Sequence, residues 1–478
     1  MREKTDAFSH ATDALSQLGI PKILEALRAT GISVRRSDMG GSHSVVTYPP
    51  LHALRKTESP AVTYGKTTSL YIHIPFCESV CTFCHYVVQH YRGNRESAAR
   101  QSVVSGYMHA LNIEMNSWAH ELGTTGTTIT SIYIGGGTPL VLETHQLVDL
   151  LDMIRLKFKV AEGADICVEA SPLTITATDG LAKLQTLRQH GVTRLSFGVQ
   201  SLDNEVLLRA GRGYERATAI RACMIAAQVF DNWNIDLIQS LYKGTSDEIW
   251  ENLQAIDQVR PPHVTWYHGR FMDRPQGHWR NEPNMQKGFE NDQQTLFGRM
   301  LIWQELAQMG YRQIDGNRFV LGERFVDPFK KTRTSVTSDL LGLGVSAYSH
   351  VGSQSHEPGG LFFRNTTKTP DYVNRLETGF NPIESGFTFD PDEHLAASYV
   401  VGLRTGRLPF QAHVYASEVA VSYYDRLIHE LSKVKVLELV NSDSGTMIRL
   451  SELGRLFEDE ILALFYSPRV LELLAPAK

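Results

Sequence analysis

Between Ser69 and Tyr86 the chain reads SLYIHIPFCESVCTFCHY, which gathers three of its five cysteines, Cys77, Cys81 and Cys84, into a C-x3-C-x2-C array. Alternating apolar residues over 70–76 predict a β-strand running into the array, so the cysteines sit in the loop that follows it. Three thiolates this close can hold three corners of a cubic iron–sulfur cluster, whose closed form takes four cysteines. Neither Cys167 nor Cys223 has a partner at ligand spacing, which leaves the fourth iron open to a substrate or cofactor. An open position also separates catalytic zinc sites from structural ones. Two plainer alternatives are a zinc ion completed by His73 or His85, and three buried thiols. The spacing is a poor one for zinc.

A loop of this kind needs a scaffold that brings other residues to the same level. Apolar strand-like runs recur at 70–76, 131–134, 166–169, 194–200, 234–238 and 263–267. Helix-compatible stretches lie between them, among them 106–122, 144–157, 180–190 and 214–229. Six such β-α units predict a parallel sheet with helices outside it, as an open Rossmann-type sheet or a barrel. In either, chemistry collects at the carboxyl ends of the strands. The second strand ends in Gly135-Gly136-Gly137-Thr138-Pro139, where small residues let a ligand approach the backbone and leave N–H groups pointing into the site. The third, fourth and fifth strands end at Glu169, Gln200 and Asp236, which should ring one cavity. A carboxylate there can accept hydrogen bonds from ribose hydroxyls or an ammonium group. Arg212 follows the fourth strand and could meet a carboxylate.

The array, with Phe83 before its last cysteine, resembles the radical S-adenosylmethionine (SAM) superfamily. The YIHIPFC preface is similar to its branch of oxygen-independent coproporphyrinogen dehydrogenases, heme chaperones and related methyltransferases, and the likeness covers about residues 66 to 465. The resemblance implies a partial (β/α)6 barrel holding a [4Fe-4S] cluster on Cys77, Cys81 and Cys84. It also implies a SAM that chelates the open iron and is cleaved to a 5′-deoxyadenosyl radical, with electrons from a flavodoxin- or ferredoxin-type donor. That branch can bind two SAM molecules. Position by position, Tyr71, Gly136 and Glu169 match contacts to the cluster-bound SAM, while Phe83, Gly137, Thr138, Gln200, Arg212 and Asp236 match contacts to the second. Departures fall on the substrate side. Cys84-His85-Tyr86 stands where the dehydrogenases have Cys-Gly-Cys, Ser240-Leu241-Tyr242 replaces a Gly-Leu-Pro turn, and Trp266-Tyr267-His268-Gly269-Arg270 replaces a glutamate-bearing segment. His85, Tyr86, His268 and Arg270 are therefore the candidate substrate residues. Those departures favour a class C methyl- or methylene-transferase acting on an sp2 carbon of a small molecule. An oxidative decarboxylase and a heme-binding chaperone are the alternatives.

Around this centre the sequence divides into an extension (1–60), the barrel (61–275), a barrel-closing segment (276–385) and a small helical, winged-helix-like domain (386–478). The extension carries a helical pattern over 13–30 and should act as a lid or brace. In the last domain a helix over 423–436, a hairpin and a helix over 451–464 are expected. That last helix carries Glu458, Asp459 and Glu460 rather than a basic face, which argues against nucleic acid. A net charge of −5, 42% hydrophobic and 21% charged residues describe a soluble globular chain. There is no secretory signature and no run of ~18 apolar residues, so a cytoplasmic protein without a membrane span is expected. Replacing Cys81 with alanine should abolish both iron incorporation and 5′-deoxyadenosine formation. Replacing Asp236, a contact to the second SAM only, should spare 5′-deoxyadenosine more than transfer. Equal loss of both products would remove that assignment.

Overall fold

All six expected strands form, as β1 (Thr67–Ile74), β2 (Thr128–Gly136), β3 (Val160–Ala170), β4 (Arg194–Gln200), β5 (Trp233–Gln239) and β6 (His263–His268). Each pairs in parallel with the next. The computed structural model describes residues 2–32, 47–57, 63–79, 81–84, 86–90, 97–239, 241–242, 245–268, 292–323, 325, 327–333, 335, 338–351, 360–405, 408–409, 415–442 and 445–475. The crossover helices include Ala98–Thr125, Thr144–Lys157, Gly180–Gln189, Arg216–Val229 and Ser246–Val259.

The period of two along each strand divides the two faces. Leu70, Ile72 and Ile74 are fully buried in the main apolar core. Tyr71 points the other way, into a smaller cluster with Tyr133, Cys167, Phe329 and Leu340. Cys167 is thus a core residue, as its position within a strand suggested. Both faces are covered, which is why these strands read as nearly continuous apolar runs.

The segment after the barrel does more than the sequence suggested. Asp339–Leu343 adds a seventh parallel strand beside β1, with Gly342 opposite Tyr71. Strands Tyr348–Val351, Gly360–Asn365 and Ile383–Phe389 continue that edge antiparallel. At the other edge, Arg318–Leu321 and Tyr311–Gln313 follow β6. The seventh strand was hidden by its glycine, Gly342. A Cβ at Gly342 would lie 2.3 Å from the Tyr348 carbonyl oxygen, so the tight return of the chain requires glycine there.

Two other expectations change. The helical pattern over 13–30 is two helices, Lys4–Gln17 and Ile20–Ala29, broken where Gly19 takes a left-handed φ of 61°. The first packs on the barrel's outer helices, with Phe8 edge-on to Trp250 and Phe297. The second places Leu27 in the C-terminal core. The expected last helix is likewise two, Glu452–Leu456 and Glu458–Leu464. Glu458, Asp459 and Glu460 are buried rather than forming an outer face. Arg404 bridges Glu458 at 3.4 Å and Asp459 at 3.0 Å, and Glu458 also accepts from the Gly316 N–H of the barrel's edge at 2.9 Å. Among the described residues no helix is long and apolar enough to cross a membrane.

Glu114, inside the first crossover helix, joins the barrel to its added edge. Its carboxylate accepts from Gly344 N at 2.7 Å, Tyr372 Oη at 2.6 Å and Asn365 Nδ2 at 2.7 Å. Burial pushes its carboxyl up from the ordinary 4.5 to about 7 against the pull of those donors. A carboxyl raised on folding gives stability that is complete below about pH 4.5 and is lost as pH rises through about 7. Urea midpoints of the native chain should therefore fall between pH 5 and pH 8. In Glu114→Ala that part of the slope should vanish, with stability lower by about 3 kcal/mol because three buried donors lose their acceptor.

Candidate active site

The cysteine loop leaves β1 through Pro75 and is closed on itself by a short parallel pairing, Phe76 with Gln89 and Cys77 with His90. Its middle is anchored on the turn after β4, where Thr82 N donates to Ala210 O at 3.2 Å and Thr82 Oγ1 to Arg209 O at 3.2 Å. Two neighbours touch the sulfurs. Thr138 Oγ1 lies 3.7 Å from Cys77 Sγ, and Arg212 Nη1 lies 2.8 Å from Cys81 Sγ. Burial pushes the Cys77 thiol up to about 11 and Cys84 up to about 12; Cys84 also feels both other sulfurs, and Cys77 feels Cys81. Left alone these thiols stay protonated, and metal binding is what draws the protons off. Among the described residues no three His, Cys, Asp or Glu side chains converge on a point that would clasp a single ion. A C-x3-C-x2-C spacing suits a polynuclear cluster better than one zinc.

His73 is not a ligand. Its Nε2 meets the Val87 carbonyl at 2.9 Å and its Nδ1 meets Tyr71 Oη at 3.0 Å. A carbonyl only accepts, so Nε2 carries the proton, Nδ1 accepts, and Tyr71 donates. Burial lowers the ring to about 4 and keeps it neutral. With its hydroxyl proton committed to His73, Tyr71 presents only lone pairs to anything else.

The Gly135–Gly137 turn serves packing rather than presentation. Gly136 N donates to Glu169 Oε2 at 2.9 Å, Gly137 N to Ile74 O at 2.8 Å and Thr138 N to Phe76 O at 2.8 Å. The expectation of free N–H groups here is therefore overturned. Glycine is needed because a Cβ at Gly136 would meet the His73 ring at 2.5 Å, and one at Gly137 would meet Phe76 O at 2.7 Å.

Glu169 and Asp236 do face one interior. Glu169 accepts from Tyr133 Oη at 2.5 Å as well as from Gly136. Burial raises its carboxyl, the Tyr133 bond opposes this, and the charge of Asp236 adds to the rise. Asp236 is also raised by burial, opposed by Lys330, and accepts from Asn234 Nδ2 at 2.8 Å. Gln200 ends β4 at a bulge with φ 71°, a left-handed conformation rare for a side chain of this size. Arg212 is directed to Cys81, to Gly198 O at 2.5 Å and to Tyr214 Oη at 3.0 Å, so it borders the cysteine array as well as the cavity. Phe83 packs against the small cluster of Val206, Ala210, Leu241 and Tyr242.

The substrate side is less complete. Tyr86 stands at the mouth, 58% exposed. His268 ends β6 in its backbone, but its side chain lies outside the described residues, as do His85 and Arg270. The helix Pro328–Arg333 was not foreseen. Its Phe329 stacks on Tyr133 at 4.7 Å and on Tyr71 at 6.1 Å. Asp327, just before it, pairs with the buried Arg194 at 2.7 Å. Asp327-Pro328 is a helix-start signal, but nothing local says that the helix enters a barrel.

Residues 71–256 match the model of the radical SAM superfamily. The heme chaperone HemW of Escherichia coli is 33% identical over 201 residues, 42% of this chain and 50% of that protein, so this match spans only half of the relative's length. The oxygen-independent coproporphyrinogen III oxidase of Pseudomonas aeruginosa is 26% identical over 482 residues, 93% of this chain and 96% of the relative. The solved structure of the Escherichia coli coproporphyrinogen III oxidase, a radical SAM enzyme, superposes with a TM-score of 0.70 at 22% identity, covering 88% of this chain and 96% of that one. It establishes the partial-barrel fold.

Gly137→Ala should lower both iron retention after reconstitution and SAM affinity by at least about tenfold, because the new methyl meets backbone that no rotamer change can clear. Gly106→Ala, where a Cβ meets nothing within 4 Å, should leave both intact.

Proposed function

The chain carries a radical SAM domain of the HemN-like branch, and from that premise we propose that it abstracts hydrogen from a carbon of a tetrapyrrole-type substrate, as an oxidative decarboxylase of the coproporphyrinogen kind, the carbon radical then releasing CO2 and passing one electron to a one-electron acceptor as the vinyl group forms. The observation that carries this reading is the end-to-end likeness to a coproporphyrinogen III oxidase, over 93% of this chain and 96% of the relative. When bound, the cluster and SAM supply a 5′-deoxyadenosyl radical, fed by an electron from a flavodoxin- or ferredoxin-type donor.

The chain's own residues hold and orient. Cys77, Cys81 and Cys84 would be the cluster ligands. Glu169, with two donors already in place, has lone pairs left for the SAM ammonium, and Tyr71 can add an acceptor. Gln200 at the end of β4, Arg212 after the helix that follows it and Asp236 within β5 would hold the second SAM. Arg212 stays cationic there, which suits a carboxylate partner. Placement does most of the work, since reacting atoms must be held within ~3–3.5 Å and the mouth kept free of water.

A second reading, methyl or methylene transfer to an sp2 carbon, is favoured by one specific feature. His85 and Tyr86 follow Cys84 in place of the dehydrogenases' Gly-Cys, so the substrate contacts differ there. The reconstituted, reduced protein is given SAM with coproporphyrinogen III, and 5′-deoxyadenosine, S-adenosylhomocysteine and vinyl product are quantified together. 5′-Deoxyadenosine and vinyl product without S-adenosylhomocysteine are expected. Matched 5′-deoxyadenosine and S-adenosylhomocysteine with an unsaturated acceptor would move the assignment to transfer. Tight heme binding with neither nucleoside product would replace both by a heme chaperone.

A further inference from the structure

A cavity lies where the Pro328–Arg333 helix, the Tyr348–Val351 and Gly360–Asn365 strands, the Pro391–Thr405 helix and the Thr47–Tyr48 segment meet. Two guanidiniums, Arg333 and Arg404, line it together with Tyr348, His350 and the rings of Phe362 and Phe389. No carboxylate is among its described lining residues. Tyr348 and Phe362 stack at 5.2 Å and form a flat apolar wall.

Most of the polar groups here are already committed. Arg404 is neutralised by Glu458 and Asp459. Burial lowers His350 to about 4 and leaves it uncharged. The Tyr48 hydroxyl donates to Glu393 at 2.5 Å. Arg333 differs. Among the described residues it makes no ion pair or hydrogen bond; the groups that raise it are the tyrosines Tyr348, Tyr86, Tyr267 and Tyr133, and Arg318 is a like charge nearby. Tyr86 and Tyr267 stand at the barrel mouth, 58% and 39% exposed, and Tyr133 is the residue that holds Glu169. A partly enclosed cation with no counter-charge is costly unless an anion completes it.

We infer that Arg333 anchors an acid-recognising subsite, taking one carboxylate on an apolar arm of the substrate while the carbon to be attacked stays on the Tyr86 and Glu169 side. A carboxylate suits the fork of a guanidinium, which can give it two parallel hydrogen bonds. The apolar stem would run along the Tyr348–Phe362 wall. The subsite extends the proposed function in one respect, that an organic substrate enters at this mouth.

The test uses the full chain with its cluster reconstituted, and two probes: coproporphyrin III as the free acid and as its tetramethyl ester, titrated by fluorescence quenching. The native protein should prefer the acid by about 30-fold or more, the scale of a buried charge contact. Arg333→Gln should reduce that preference to within about threefold and leave ester binding unchanged. Arg333→Lys, which keeps the charge but loses the fork, should fall between. Iron content and the change in the cluster's electron paramagnetic resonance signal on adding SAM should match the native protein in both variants. If Arg333→Gln loses its iron, Arg333→Lys alone decides. A native protein without acid preference, or a preference undiminished in the variants, overturns the subsite. Absence of 5′-deoxyadenosine formation by the native protein would defeat the proposed function while leaving the acid–ester comparison to judge Arg333.

Discussion

Two backbone hydrogen bonds, from Gly137 to Ile74 and from Thr138 to Phe76, bind the turn after β2 to the segment that enters the cysteine loop. They require the two stretches to lie closer than any side chain would allow, and this explains the run of glycines. Once the turn is held there, Gly136 reaches Glu169, the His73 ring fits beneath it, and Thr138 reaches Cys77. The cluster loop, the first strand end and the third strand end therefore behave as one unit. A shift in any of them is felt by the other two.

Around this unit, buried charges join pieces of the chain that are far apart in sequence. Arg194 on β4 reaches Asp327 and so holds the inserted helix in the barrel. Burial pushes Asp327 up, but Arg194 and Lys330 outweigh it and hold its carboxyl at about 2. Glu114 ties the first crossover helix to the added edge, and Glu458 with Arg404 ties the C-terminal domain to the barrel's far edge. Such contacts are demanding, because removing one partner leaves the other charged and dry. They give the assembly its register where apolar packing alone would tolerate sliding.

The same placement organises the chemistry. Glu169 and Asp236 are both raised by burial, and each is tempered by specific donors or by Lys330. His73, held by Val87, sets the direction of the Tyr71 hydroxyl. Arg333, by contrast, has tyrosine hydroxyls and no acid among the groups that raise it.

What the residues determined alone is what local repetition and side-chain type can encode. Short apolar runs at a regular spacing placed all six barrel strands, and C-x3-C-x2-C marked the candidate ligands. The strand ends at Glu169 and Gln200 followed from their positions, because the end of a strand is set within a few residues, whereas Asp236 lies mid-strand in Trp233–Gln239. Tertiary structure decided the rest. Whether the glycine N–H groups were free depended on carbonyls some sixty residues earlier, at Ile74 and Phe76. Whether Glu458 faced solvent depended on Arg404 and Gly316. The seventh strand at Asp339–Leu343 shows no alternation, since both its faces are buried and its one glycine, Gly342, answers to Tyr348. The Pro328–Arg333 helix is too short to carry a period at all. Those features are contacts between distant segments, and a pattern read along the chain holds no record of which segment will lie across from it.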